Sequence, residues 1–166
     1  MGWLSKLFGS SSEGQAIEKL KSLTLVTAGT SALPNRTSML RTIQEIERKH
    51  EGDMSPALAD ALAGAIVCFV CWHVRGEERK PFLERAVHYY RRSGNKEQLG
   101  CLLVEEAQVR ELKEAIALLE NVFRESKTYR PSLCLYAEAL YKDGQYMKAY
   151  EAAIKIPRMA ELHVAD

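Results

Sequence analysis

The sequence lacks a strong net charge. With 23 basic and 22 acidic residues in a chain of 166, its formal charge is +1, so no overall field attracts nucleic acid or an anionic membrane. One run, Tyr89 to Arg92 (YYRR), has residues that stack on bases and neutralise phosphates. A single such run in a neutral protein does not support nucleic-acid binding. There is also no glycine-rich phosphate loop and no G-x-S-x-G motif, which argues against an enzyme.

The sequence also lacks strand patterns and a secretion signal. No segment combines two-residue alternation with hairpin turns, so no sheet is expected. The start, MGWLSKLF, is too short and interrupted for a signal peptide, and Lys6 occupies the position where myristoylation requires serine or threonine. The most apolar stretch, Ala57 to Val74, contains Asp60 and Gly64 and suits a buried helix better than a membrane span. Together with only four cysteines, these features favour a cytoplasmic location.

Apolar periodicity and capping residues predict eight helices. Ser55 followed by Pro56 is a strong helix start, because serine caps and proline fits the first turn. Gly76 and Gly94 mark helix ends, and Pro157 closes the last helix. The predicted segments are about 13–25, 37–50, 55–75, 78–93, 96–109, 111–126, 131–143 and 145–156.

Three cysteines recur at a constant interval of 33 residues: Cys68, Cys101 and Cys134. Each begins a similar phrase, namely CFVCWHV, CLLVEEA and CLYAEAL. A period of about 33–34 residues suits a stacked helix–turn–helix repeat. The spacing predicts that the three cysteines occupy equivalent places on successive first helices, reduced and unliganded.

The last of these repeats, PSLCLYAEALYKDGQYMKAYEAAIKIP, is similar to a tetratricopeptide repeat. The matching positions are Leu133, Tyr136, Ala137, Leu140, Gly144, Tyr146 and Ala149. The resemblance covers roughly residues 60–157, and it implies an all-α fold of antiparallel helix pairs stacked as a short right-handed α-solenoid. Residues 13–166 would form one repeat domain, with 13–52 as a degenerate capping pair. Residues 1–12 would be a flexible amphipathic segment and linker.

In this family the first helices of successive pairs line a concave groove that holds a peptide or a helix. The resemblance therefore implies a non-catalytic adaptor or scaffold module. Members of this family bind a free C-terminal carboxylate through Lys, Arg and Asn in the groove, whereas the equivalent positions of this chain hold cysteine, tryptophan and glutamate. A protein or peptide partner with apolar and basic groups is expected instead. The predicted groove residues are Trp72, Arg75, Gln98, Glu105, Gln108, Glu138, Tyr141 and Lys142.

The pair Cys68 and Cys71, followed by His73, also allows metal binding or redox chemistry. A zinc site needs a second pair of ligands, and no βαβ pattern supports a thioredoxin-like motif. The repeat offers another interpretation, in which Cys71, Val104 and Ala137 share one small-residue slot. Free cysteine behaves as a small buried hydrophobe, so structural cysteines are favoured, with no metal and no cofactor.

The first eight residues carry four large apolar side chains whose role the pattern leaves open. They could lie in a membrane interface beside Lys6, which makes a small helical protein on a membrane surface the alternative function. They could also dock on their own solenoid or in the groove of a neighbouring chain. No oligomeric state follows from the pattern. These residues are Trp3, Leu4, Leu7 and Phe8.

Overall fold

The computed structural model describes residues 12–25, 33–106, 109–125 and 132–156. These ranges contain eight α-helices, one short 3-10 helix and no strand, which confirms the all-α prediction. The described residues belong to two compact units, Met1–Gly94 and Asn95–Asp166. A single repeat domain over residues 13–166 stays a prediction. The helices are α1 (Ser12–Thr24), α2 (Arg36–His50), α3 (Pro56–His73), α4 (Lys80–Ser93), α5 (Lys96–Glu106), α6 (Val109–Glu125), α7 (Leu133–Lys142) and α8 (Tyr146–Ala153).

The start of α3 is capped as the sequence predicts, with an additional contact from α1. The Ser55 side chain accepts a hydrogen bond from the Leu58 amide at 3.2 Å, and Pro56 stands in the first turn. The Ser55 amide in turn donates to Glu13 Oε1 at 3.0 Å. Hydrogen bonds to Glu13 from the side chain and the amide of Ser55 hold the pKa of Glu13 below its usual range. The carboxylate of α1 therefore fixes the entry into α3.

The core of the first unit forms around α3, which packs against α1, α2 and α4. By length and composition α3 is apolar enough to cross a membrane, but most of its apolar side chains are buried against these three helices. Burying a large aliphatic or aromatic side chain contributes roughly 1.5–3 kcal/mol, so this helix organises the unit. Its buried residues are Leu58, Ala59, Leu62, Ala63, Ala65, Ile66, Phe69 and Val70.

The connection from α3 to α4 differs from the prediction. The last helical residue of α3 is His73, two residues earlier than expected, because Val74 and Arg75 are extended. Gly76 then adopts a φ of +59°, which glycine tolerates without strain. A 3-10 turn covers Gly76–Arg79 before α4 begins. At the other end of α4, Gly94 takes a left-handed conformation, as its predicted role of helix stop requires.

A polar cluster joins α2 to α4 in the first unit. Glu47 accepts hydrogen bonds from Arg85 through both Nε, at 3.2 Å, and Nη2. It also accepts one from the Tyr89 hydroxyl at 3.0 Å. The Arg85 guanidinium lies 5.5 Å from the ring centre of Phe82, within reach of a cation–π attraction. The Glu47 carboxylate, which is partly buried, is therefore paired with hydrogen-bond donors from α4 at the edge of the core.

This cluster predicts a stability change at high pH. Burial, with the Glu47 charge adding to it, raises the pKa of Tyr89 to about 12, whereas an unfolded chain releases this proton near pH ~10. The folded state holds the extra proton between these values, so the first unit loses stability as the pH rises through them. Urea unfolding at about pH 9 and about pH 11 should show a larger loss for the parent than for Tyr89→Phe. An equal loss in both proteins would contradict this assignment.

The second unit is built from α5 to α8. Helix α5 packs against α6 and α7, α6 against α7, and α7 against α8. Ser132, just before α7, donates to Glu97 Oε1 of α5 at 2.5 Å. The buried side chains include Leu103, Val104, Ala115, Leu119, Leu140 and Ala149.

The repeat alignment predicts close helix contacts at four alanines, of which Ala86, Ala115 and Ala149 are buried in the structure and Ala137 is half-buried. Ala149→Leu should lower the free energy of unfolding by about 1–3 kcal/mol, because the added atoms overpack the contact. Ala153→Leu is the matched control, since Ala153 is exposed on the same helix. Thermal unfolding of both variants checks the prediction. If the melting temperature of Ala149→Leu stays at the parent value, the surroundings of residue 149 can accommodate a larger side chain and the predicted close contact is wrong.

Candidate functional site

The predicted groove residues fall in different parts of the structure. In the first unit Trp72 is half-buried and Arg75 is exposed. Four of the predicted groove residues lie in the second unit and are exposed: Gln98, Glu138, Tyr141 and Lys142. A continuous groove across both units stays a prediction. The Glu105 side chain, Gln108 and the docking residues Trp3, Leu4, Leu7 and Phe8 lie outside what the structure describes.

Arg75 has a structural role that the groove prediction did not include. Its guanidinium Nη1 donates to the carbonyl oxygen of Cys71 at 2.9 Å and to that of Val74 at 3.0 Å. The last carbonyls of a helix have no partner within the helix, and an arginine near the end can satisfy them. Arg75 therefore caps the end of α3. The sequence carried this signal, since Arg75 directly follows the last helical turn.

Glu138 is also engaged within its own helix. Its carboxylate lies 2.6 Å from the ammonium of Lys142, one turn further along α7. Pairs at this spacing are neighbours on a helix surface and stabilise it by about 0.2–0.5 kcal/mol. A basic group on a ligand would have to compete with Lys142 for Glu138. A basic group of the predicted partner therefore gains less from Glu138 than from an unpaired carboxylate.

The most distinctive surface of the second unit is a group of exposed apolar and aromatic side chains, here called the tyrosine face. Each of its members keeps between 62% and 72% of its surface exposed in the described structure. Along α8 these members follow a helical spacing on a different side from the buried Ala149 and Ala152. The tyrosine face consists of Tyr141, Tyr146, Met147, Tyr150 and Ile154.

The tyrosine face joins two helices. The rings of Tyr141, in the last turn of α7, and Tyr146, at the start of α8, have centres 5.4 Å apart at an angle of 64°. This edge-on arrangement is favourable for aromatic pairs. Tyr141 was predicted from the sequence as a groove residue, whereas Tyr146 was identified only as a match to the repeat pattern and Tyr150 was missed. Their four-residue spacing, offset from the alanines, was the signal that could have identified them.

A cavity of about 300 Å³ opens in the second unit beside the start of α8. It includes Gln145, the residue directly before Tyr146, and Gln145 donates to Asp143 Oδ2 at 2.8 Å. Two carboxylates and one ammonium line the cavity, so the local charge is slightly negative. The lining residues are Lys113, Ile116, Ala117, Glu120, Asp143 and Gln145.

None of the four cysteines, all of which the structure describes, forms a disulfide, and they do not share one environment. Cys68 and Cys101 are half-buried, whereas Cys71 and Cys134 are exposed. The prediction that Cys71 and Val104 occupy equivalent buried positions is therefore wrong, because Cys71 is exposed while Val104 is fully buried. The described residues contain no group of three metal-ligating side chains.

No protein-family model matches the chain, and neither the curated proteins nor the solved structures contain a match. The structure therefore defines the class of protein, an all-α protein of two helical units. The tetratricopeptide resemblance stays a prediction.

Proposed function

We propose that this chain is a non-catalytic protein interaction module, and that its tyrosine face binds a polypeptide segment of a partner. The proposal includes a tetratricopeptide-like arrangement of antiparallel helix pairs. The observation that carries the binding role is the exposed cluster of three tyrosines and one methionine on α7 and α8, with one isoleucine directly after α8. A contiguous exposed apolar surface on a soluble domain marks an interaction site.

The chemistry of the tyrosine face favours a polypeptide over a small molecule. Tyrosine is enriched among the residues that dominate binding energy, because its ring buries a large area with few rotatable bonds. The hydroxyl keeps the surface wettable when no partner is bound. The face is open and runs along a helix, so an apolar helix or extended segment can lie along it. We expect the partner to place two or three apolar side chains between the tyrosine rings.

The charge of the cavity beside α8 is consistent with a basic group on the partner. Glu120 and Asp143 outnumber Lys113 in its lining, and Asp143 lies only three residues from Tyr146. A lysine or arginine of the partner could reach this cavity while its apolar neighbours contact the rings. The ligand would then combine apolar and basic residues, with the basic one at an end of the apolar run.

The proposal is tested by selecting peptides from a random display library on the whole chain and measuring their affinities. The selected peptides should share apolar residues and a basic residue. Tyr146→Ala combined with Tyr150→Ala should weaken their binding by roughly 10- to 100-fold, because removing an anchoring aromatic costs about 1–2 kcal/mol or more. Lys148→Ala is the matched control, since Lys148 is exposed on α8 and, at about 100° per residue, projects roughly 160° around the helix from Tyr150.

The outcomes separate the proposed function from its alternatives. Equal affinity of the parent and the double tyrosine variant would show that another surface binds. Failure to select any peptide, together with binding of the chain to lipid vesicles that is lost on removing residues 1–12, would favour the membrane-surface alternative.

A further inference from the structure

Two thiols lie one helical turn apart at the end of α3. Cys68 is half-buried and Cys71 is exposed. Cys71 lines a cavity of about 270 Å³ formed with Val70, Val74, Arg75, Gly76 and Arg79. An exposed cysteine and two arginines therefore line the same cavity, and no acidic residue is among its lining.

Arg75 is fixed at this cavity. Its Nη1 is held by the carbonyls of Cys71 and Val74, which leaves the remaining N–H groups of the guanidinium to face a ligand. Arginine binds carboxylates through paired N–H groups, so an anion can be held next to Cys71. The 3-10 turn after Gly76 places Arg79 at the same cavity.

We propose that Cys71 is a modification site that forms a mixed disulfide with an anionic low-molecular-weight thiol, whose carboxylates bind Arg75 and Arg79. The co-reactant is the symmetrical disulfide of that thiol. The Cys71 thiolate attacks one of its sulfurs, a new sulfur–sulfur bond forms, and the original one breaks. The leaving thiolate takes up the proton that Cys71 has released. One half of the reagent is reduced and Cys71 is oxidised.

The product is the mixed disulfide and not a bond between Cys68 and Cys71. Side chains three residues apart on a helix have Cβ atoms roughly 5–6 Å apart, whereas a disulfide needs about 3.5–4.5 Å. Burial, with Cys71 nearby adding to it, also raises the pKa of Cys68. Because the thiolate is the attacking form, Cys68 displaces the bound thiol slowly. The modification therefore persists until an external thiol removes it.

Cys134 is the internal control, because it is exposed like Cys71 but is not part of this cavity. The reduced whole chain is treated with glutathione disulfide or with the neutral hydroxyethyl disulfide, and modified cysteines are quantified by peptide mass spectrometry. With the anionic reagent, Cys71 should react about tenfold faster than Cys134, since a focused positive charge raises the local concentration of anions. With the neutral reagent this preference should largely disappear.

Arg79→Gln provides the second comparison, because Arg79 lines the cavity without capping α3. In this variant glutathione disulfide should react more slowly with Cys71 than it does in the parent, while its rate of reaction with Cys134 should be unchanged. The proposal would be overturned by the same preference with both reagents, by an unchanged preference in Arg79→Gln, or by a bond between Cys68 and Cys71 as the main product.

Discussion

Replacing Gly100 with alanine is expected to destabilise the second unit by about 1–2 kcal/mol, although the same change inside a helix usually stabilises. A Cβ atom at Gly100 would lie 2.8 Å from Cγ of Leu119 and 3.0 Å from its Cδ2. Leu119 is fully buried, so it cannot move aside freely. Overpacking costs about 1–3 kcal/mol, and contacts of 2.8 and 3.0 Å with a buried side chain place this substitution in the upper part of that range. The cost is then larger than the roughly 1 kcal/mol that alanine gains over glycine in a helix.

Gly64 provides the matched control within the same chain. It lies inside α3, and the nearest atom to an added Cβ is the Tyr90 hydroxyl oxygen at 4.0 Å. Gly64→Ala should therefore stabilise the first unit by about 0.5–1 kcal/mol. Hydrogen exchange measured peptide by peptide reports each unit separately. Stabilisation by both substitutions would mean that α5 and α6 do not approach closely at Gly100.

Removing the Glu47 carboxylate is expected to lower the stability of the first unit by about 2–3 kcal/mol. Glu47→Ala leaves the Arg85 guanidinium and the Tyr89 hydroxyl without their acceptor at a partly buried place, and an unpaired buried charge costs more than the pair contributes. The Glu47 side chain keeps only 16% of its surface exposed and that of Arg85 35%. We therefore expect less than the full penalty of a completely buried pair.

Glu45→Ala is the control for this prediction, because Glu45 is exposed on the same helix. It should change stability by less than about 0.5 kcal/mol. Urea unfolding followed by circular dichroism compares the two variants with the parent. If Glu47→Ala is no more destabilising than Glu45→Ala, the bonds from α4 to Glu47 contribute little to the fold.

Local signals in the sequence predicted much of the fold. Ser55 and Pro56 gave the start of α3 because capping depends on neighbouring residues alone, and Gly94 gave the end of α4 for the same reason. The 3-10 turn after Gly76 was not predicted, since RGEERKP has the composition of either a loop or a first helical turn. The close approach at Gly100 was not predicted either, because it depends on which residue of α6 lies opposite.

The candidate site was predicted only in part, and the reason is again non-local. Tyr141 was identified from its repeat position. Tyr150 was missed because the sequence does not show which side of the last helix another helix covers. Arg75 was also identified from its repeat position, whereas its contacts with the end of α3 depend on where that helix stops. Local periodicity and capping signals thus predicted the helices better than repeat position predicted which of their side chains are exposed.

The central claim, that the tyrosine face binds a polypeptide, is tested most directly by fluorine NMR of the chain labelled with fluorotyrosine. The seven tyrosines include internal controls, since Tyr89 and Tyr90 lie in the first unit. On addition of a peptide selected from the display library, the resonances of Tyr141, Tyr146 and Tyr150 should shift together and saturate, while those of Tyr89 and Tyr90 stay in place. Saturable shifts at Tyr89 and Tyr90, with the three tyrosines of the face unmoved, would contradict the account.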